Sequence, residues 1–238
     1  MQTIEQLLAG ELINATKIKI SCGLTAFPNE ILGLSETLEY LDLSGNQLSS
    51  LPGDFDKLKK LKILFLSDNN FKEIPNILSR CESLEMIGFK ANQIESFPED
   101  SIPITTRWLI LTNNRLTSIP KSIGKCKRLQ KCMLAGNLLK EFPPEMANCY
   151  NLELLRISAN KFDELPEWLL KMPRLSWLAF AGNTFNKEKR MNNNPTEIAW
   201  QELEILEMLG EGASGVIFRS LWNKGSKGNQ IQPVAVKI

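Results

Sequence analysis

Leu41-Asp42-Leu43-Ser44-Gly45-Asn46-Gln47-Leu48-Ser49-Ser50-Leu51-Pro52 is the clearest copy of a unit that returns along most of the chain. Aligned on its asparagine, the unit recurs at Asn46, Asn69, Asn92, Asn114, Asn137, Asn160 and Asn183, at spacings of 23, 23, 22, 23, 23 and 23 residues. A fixed period of this length marks a stacked-repeat architecture, in which each unit buries its apolar face only against its neighbours. Within the unit, Leu41-x-Leu43 alternates with period two. The leucines therefore face one way and the residues between them the other, as in a half-buried strand. The asparagine amide both donates and accepts, so it can satisfy backbone groups where the strand turns away. Placed once per repeat, the asparagines predict a ladder along the stack. The Leu-Pro step then ends the strand direction, because proline restricts the residue before it and donates nothing.

The unit resembles the leucine-rich repeat, L-x-x-L-x-L-x-x-N-x-L, in a form that ends in L-P. The resemblance covers roughly residues 17–185. It implies an α/β repeat fold, a leucine-rich-repeat solenoid curved as a horseshoe arc, with one short strand per repeat on its concave side. Seven regular repeats follow a degenerate first one, Ile18 to Pro28, which is a residue short and lacks the asparagine. The turn opposite the strands is expected to bury Phe55, Leu78, Ile123, Met146 and Leu169. The fourth unit departs from this pattern. Ser101 replaces the apolar residue and one residue is lost between Ile104 and Leu109, which predicts an irregular turn. Before the repeats, residues 1–16 read as a helical cap. A helix is expected over 3–14, with Thr3 and Gln6 as a capping box and Ile4, Leu7, Leu8 and Leu12 on one face.

Composition narrows the function classes. The formal net charge is +1, which gives no reason to expect nucleic acid or an acidic membrane surface as partner. Histidine is absent, which removes the commonest general base and metal ligand. Of the five cysteines, Cys81, Cys126 and Cys149 lie at one repeat phase, shared with Leu58, Ile104 and Met172 in other repeats. Cys132 takes a strand-leucine position, and Cys22 lies in the degenerate repeat. Free cysteine packs as a small hydrophobe, so most of these are expected in the core. An odd count without C-x-x-C spacing points to a reducing, cytoplasmic compartment. No secretory signal opens the chain, and no apolar run approaches the ~20 residues of a membrane helix.

The outward strand positions carry a first functional signal. One column reads Tyr40, Ile63, Met86, Trp108, Lys131, Leu154, Trp177, and the next Asp42, Phe65, Gly88, Ile110, Met133, Arg156, Ala179. A solvated strand face is normally polar, yet these columns are mostly large and apolar. Such a patch has the composition of a protein-binding surface. Tyr40, Ile63, Phe65, Met86, Trp108, Ile110, Met133, Leu154, Arg156 and Trp177 are the candidate partner-binding residues, with Arg156 and Lys131 orienting the partner.

After Phe185 the repeat pattern stops. Residues 186–201 read as a linker or an irregular end cap. Residues 202–238 begin something new. Gly210-Glu211-Gly212-Ala213-Ser214-Gly215 is a G-x-G-x-x-G motif, common to dinucleotide-binding folds and protein kinases. A dinucleotide fold would place a helix next, whereas Val216-Ile217-Phe218 reads as a strand, and Pro233-Val234-Ala235-Val236-Lys237 follows after a turn-rich connection. This order resembles the start of a protein kinase small lobe. The resemblance implies that Gly210, Gly212 and Gly215 let the backbone approach the phosphates of ATP. Leu209 and Val216 would pack on the adenine side, and Lys237 would reach the α and β phosphates. ATP with magnesium is then the cofactor of a longer parent protein. The catalytic-loop and metal-binding aspartates of that family fall outside this stretch, so the chain alone is expected neither to catalyse phosphoryl transfer nor to bind ATP tightly. Three strands also bury little surface. The tail is therefore expected to dock through Trp200 or Trp222, or to lack order. The functional expectation is a protein-binding repeat module of a cytosolic, ATP-dependent, serine/threonine-type kinase. The alternative is a non-catalytic scaffold with a vestigial kinase tail.

Overall fold

Each repeat contributes one three-residue strand: β1 Lys17–Lys19, β2 Tyr40–Asp42, β3 Ile63–Phe65, β4 Met86–Gly88, β5 Trp108–Ile110, β6 Lys131–Met133, β7 Leu154–Arg156 and β8 Trp177–Ala179. In this computed structural model, which describes residues 2–185, 197–212, 215–223 and 231–238, they pair in parallel and in chain order as one eight-stranded sheet. The register runs Tyr40↔Ile63↔Met86↔Trp108↔Lys131↔Leu154↔Trp177, so equivalent positions of successive repeats sit side by side.

The inward positions form the core. Leu41, Leu64, Ile87, Leu109, Cys132 and Leu155 are buried in one row, and Leu43, Leu66, Phe89, Leu111, Leu134 and Ile157 in the next. Each such large side chain contributes about 1.5–3 kcal/mol by leaving water. On the far side of this core the chain makes short 3-10 helices, Asn29–Leu34, Phe55–Lys57, Asn76–Arg80, Lys121–Lys125 and Pro144–Asn148. In the sixth regular repeat the turn is a single α-helical turn, α2 Glu167–Leu170. Prolines precede most of these turns, and Phe55, Leu78, Ile123, Met146 and Leu169 point inward from them.

The asparagines form the ladder. Asn69 Nδ2 donates to the Leu43 carbonyl at 2.9 Å and to the Leu66 carbonyl at 3.2 Å, while its Oδ1 accepts the Leu48 N–H at 2.9 Å. Each asparagine thus ties its own strand exit to the preceding repeat. Asn183 closes the series on Ile157, Phe180 and Phe162.

Three expectations are corrected. Ile104 is 65% exposed and does not share the cysteine phase. Pro103 holds that place instead. Its carbonyl accepts the Thr106 N–H at 3.1 Å, as the Cys81 carbonyl accepts the Leu84 N–H at 3.0 Å. The missing residue therefore falls before Pro103, not after Ile104. This repeat carries no helix among the described residues. Buried Ser101 turns its hydroxyl onto the Pro98 carbonyl at 2.8 Å. Second, the N-terminal helix α1 covers only Ile4–Leu8, with its Thr3–Gln6 capping box formed. Gly10, in the left-handed region at φ 74°, follows directly and ends it well before residue 14. Leu7 alone of its apolar face is buried, Ile4 and Leu12 are partly so, and Leu8 is exposed. Gln2 lies beyond the helix, where its side chain bonds both the Lys17 carbonyl and the Lys19 N–H.

The chain divides into two compact units, Met1–Lys189 and Arg190–Ile238. Most of the expected linker, 186–196, lies outside the described residues. The second unit is a three-stranded antiparallel sheet in the order β11-β10-β9. Its strands are β9 Leu203–Gly212, β10 Gly215–Asn223 and β11 Ile231–Lys237. Order is thus present here as the third correction, against one of the two expectations for the tail. A bulge interrupts the β9–β10 register beside Phe218.

Candidate functional site

The side chains between the core leucines emerge on the sheet face turned away from the helical turns. At its start, Asp42 is buried, accepts the Ser44 N–H at 3.0 Å and pairs with Lys19 at 2.9 Å. Burial pushes this carboxyl up, but the Ser44 and Lys19 hydrogen bonds outweigh it and hold the acid below its ordinary value. Tyr40 stands edge-on to Phe65, ring centroids 5.8 Å apart, and Lys17 Nζ lies 4.4 Å from the Tyr40 ring. Phe65 leans over Gly88, where an added Cβ would meet Phe65 Cδ1 at 2.6 Å. Gly88 is therefore the socket for this ring, a role that the sequence pattern does not reveal.

Further along, Lys131 Nζ sits 3.8 Å above the Trp108 ring. Met86, Ile110, Met133, Leu154 and Ile63 are half-buried, Arg156 is exposed, and Trp177 is 57% exposed. All ten candidate partner-binding residues thus occupy β2 to β8 on one face. The early strands are filled by mutual packing, whereas the late strands leave Trp177 and Arg156 open.

In the second unit, the glycine stretch joins β9 to β10, with Gly212 opposite Gly215 and Gly210 opposite Ile217. Ala213 and Ser214, at the loop tip, lie outside the described residues. Gly215 has φ +129°, and a Cβ there would collide with the Ile238 carbonyl oxygen. The fold itself requires this glycine. Around Gly210 nothing among the described residues lies within 4 Å of an added Cβ, which leaves open space there. Lys237 ends β11 beside the hairpin, its Cε 3.3 Å from the Gly215 Cβ position.

The register adds one residue. Ile217 pairs with Lys237, so these two side chains share a face, and Val216 turns to the other. Ile217, exposed like Leu209, is thus the apolar neighbour of the lysine, a residue that the sequence reading did not single out. The bulge skips Leu209 in the pairing, which sequence alternation cannot show.

The thiols carry no chemistry of this kind. Burial pushes Cys81 and Cys149 up to about 12 and Cys126 to about 11, and raises Cys132 further. Cys22 is exposed. Among the described residues no cluster of acids and cysteines could hold a metal ion, and no helix is long and apolar enough to cross a membrane.

Residues 21–71, 36–94 and 105–126 match sequence profiles described as the leucine rich repeat. Parallel strands, one per period, with an asparagine ladder at each exit, supply the geometry. The first unit has the fold of a leucine-rich-repeat solenoid. The "Leucine-rich repeat and calponin homology domain-containing protein 1" of Mus musculus is 31% identical over 98 residues, which is 41% of this chain and 14% of that protein. The "Probable serine/threonine-protein kinase pats1" of Dictyostelium discoideum is 33% identical over 104 residues, 41% of this chain and 3% of that protein. Among solved structures, the leucine-rich-repeat ectodomain of the plant membrane receptor kinase GASSHO1/SCHENGEN3 from Arabidopsis thaliana, in complex with Casparian strip integrity factor 2, superposes with a TM-score of 0.61. Its identity is 28%, over 76% of this chain and 23% of that one. The chain spans well under a fifth of the length of these two curated relatives.

Proposed function

We propose that the outward strand face of the solenoid binds a protein partner and that the second unit opens the catalytic domain of an ATP-dependent protein kinase. The first half rests on the half-exposed Trp108, Met133, Leu154 and Trp177, a surface whose apolar area is worth more against a partner than against water. A solved neighbour that holds a protein ligand supports it. Trp108→Ala combined with Trp177→Ala tests it. Capture of the partner from extract falls at least tenfold while the melting curve stays two-state. Unchanged capture by the double variant defeats this half.

The second half rests on one observation: a lysine at the mouth of a glycine hairpin that leaves open backbone at Gly210. Phosphate oxygens fit such backbone, and an ammonium completes their neutralisation. Gly210, Gly212 and Gly215 would admit the ATP phosphates, Lys237 would hold the α and β pair, and Leu209 with Ile217 would line the base. Magnesium would be bound by residues beyond this stretch, and the chemistry it supplies is neutralisation of the transferring phosphoryl group. Serine/threonine specificity follows the name of a partial relative. The cytoplasm, where ATP and reduced thiols coexist, is the proposed compartment. Lys237→Met in the native gene product abolishes phosphate transfer from ATP to protein by more than a hundredfold. Full activity in that variant, or none in the unaltered product, leaves the scaffold reading in its place.

A further inference from the structure

The charge on the outward strand face is one-sided. Across β1 to β8 its cations are Lys17, Lys19, Lys90, Lys131 and Arg156, and its one carboxylate is Asp42. Lys90 belongs here because it follows β4 at the next outward position. The whole chain by contrast is nearly neutral, at +1. Asp42 adds nothing outward, being buried and neutralised by Lys19. Of the acids that flank the strands, Glu39 and Glu85 are paired, with Lys62 at 2.9 Å and with Arg107 and Arg128 at 3.4 and 3.1 Å, whereas Asp68 after β3 and Glu153 before β7 stand at the margins of the face and leave its cations in excess.

The remaining cations have no acidic partner. Among the described residues no carboxylate forms an ion pair with Lys17, Lys90, Lys131 or Arg156. Lys17 and Lys131 lie on aromatic rings, which orient an ammonium while leaving part of it free to meet an anion. Lys90 and Arg156 are exposed. Apolar side chains stand between them: Met133 beside Arg156 in register, and Leu154 between Lys131 and Trp177.

We infer that the occupant of this face is an extended protein segment that turns both carboxylate and large apolar side chains, at every second residue, toward the sheet. It lies across β4 to β8, with its acids at Lys90, Lys131 and Arg156 and its apolar groups at Leu154 and Trp177. This inference rests on the protein-binding reading above. Charge complementarity of this kind selects partners and speeds encounter, and like charge on the wrong partner is penalised. An extended segment suits the site because its side chains repeat at ~6.6–6.8 Å on one face. That spacing lets successive acids reach cations one or two strands apart, strands being ~4.8 Å apart.

A random twelve-residue peptide display library, selected on the 238-residue chain, tests the inference. Peptides are sequenced, then measured by fluorescence anisotropy against the unaltered chain, the Lys90→Glu, Lys131→Glu, Arg156→Glu variant and the Trp108→Ala, Trp177→Ala variant. Circular dichroism melting shows that both variants fold. The expected peptides are rich in Asp and Glu beside Leu, Phe or Trp. Their affinity falls roughly tenfold or more on charge reversal, and falls again between low and high salt. Peptides without acidic excess that still lose binding to the tryptophan variant overturn the charge inference and leave the protein-binding reading standing. Peptides indifferent to both variants, or no enrichment at all, overturn both.

Discussion

At the residue scale, the asparagine ladder concentrates much of the order in a few amide groups. Asn114 accepts the Ile94 N–H at 3.0 Å and donates to the Phe89 and Leu111 carbonyls at 2.9 and 3.0 Å, all within the buried interior. Asn114→Ala leaves those groups without partner or water, a cost of roughly 1–3 kcal/mol. Urea unfolding checks this through its midpoint, and an unchanged midpoint would deny the ladder an energetic role. The thiols give a second test. Four are buried and one exposed, so iodoacetamide at neutral pH adds a single group, at Cys22, to the folded chain. The others have acidities moved up by burial, to about 12 for Cys81. A raised folded value means that stability is full below the unfolded value, near 9.0, and declines as pH climbs toward the folded one. Chemical denaturation should therefore show falling stability from pH 9 upward, and Cys132→Val should flatten that slope.

At the scale of the element, the strand exits share a backbone feature that side-chain patterns hide. The residue before each ladder asparagine is left-handed: Gly45, Asp68, Ala91, Asn113, Gly136, Ala159 and Gly182, with φ between 53° and 80°. Glycine accepts this conformation freely, and alanine pays about 1–2 kcal/mol for it. Ala159→Gly should therefore stabilise the solenoid by up to about 1 kcal/mol, after the extra unfolded-state freedom of glycine is subtracted. Thermal melting reads the sign, and a lower midpoint would contradict it. The strands, their order and the inward rows were legible because a two-residue alternation within a fixed period leaves one arrangement open. The helical turns were less so. A 3-10 turn needs only three or four residues and has no periodic signature, so the shift from Ile104 to Pro103 appears only in the backbone bonding. Which residue stands beside Lys237 was not legible for a related reason: it depends on the β10–β11 register, which pairs Ile217 with Lys237.

At the scale of the whole molecule, the solenoid presents a face with an excess of cations and an open tryptophan on its last strand, while the second unit buries little. Ser220 is the one fully buried residue among the described parts of that sheet, and Met208, Leu209, Ile217 and Ile231 are exposed. The repeat fold and the outward columns could be read from the chain because they are carried by every unit. The functional details could not, because they depend on single exceptions: Gly88 making room for Phe65, Lys131 lying on Trp108, Arg156 without an acid.

The fourth repeat has a consequence for how this chain can change its length. It has lost one residue, yet Met86 still pairs with Trp108 and Asn114 still finds all its ladder partners. The whole deficit is absorbed on the helical side, by the turn around Pro103. Insertions and deletions are thus tolerated asymmetrically. Between strand and asparagine the chain counts residues strictly, since a shift there would throw every inward leucine to the other face. Between the proline step and the next strand it does not count, and that is where this molecule can gain or lose length without losing its line of outward strand residues.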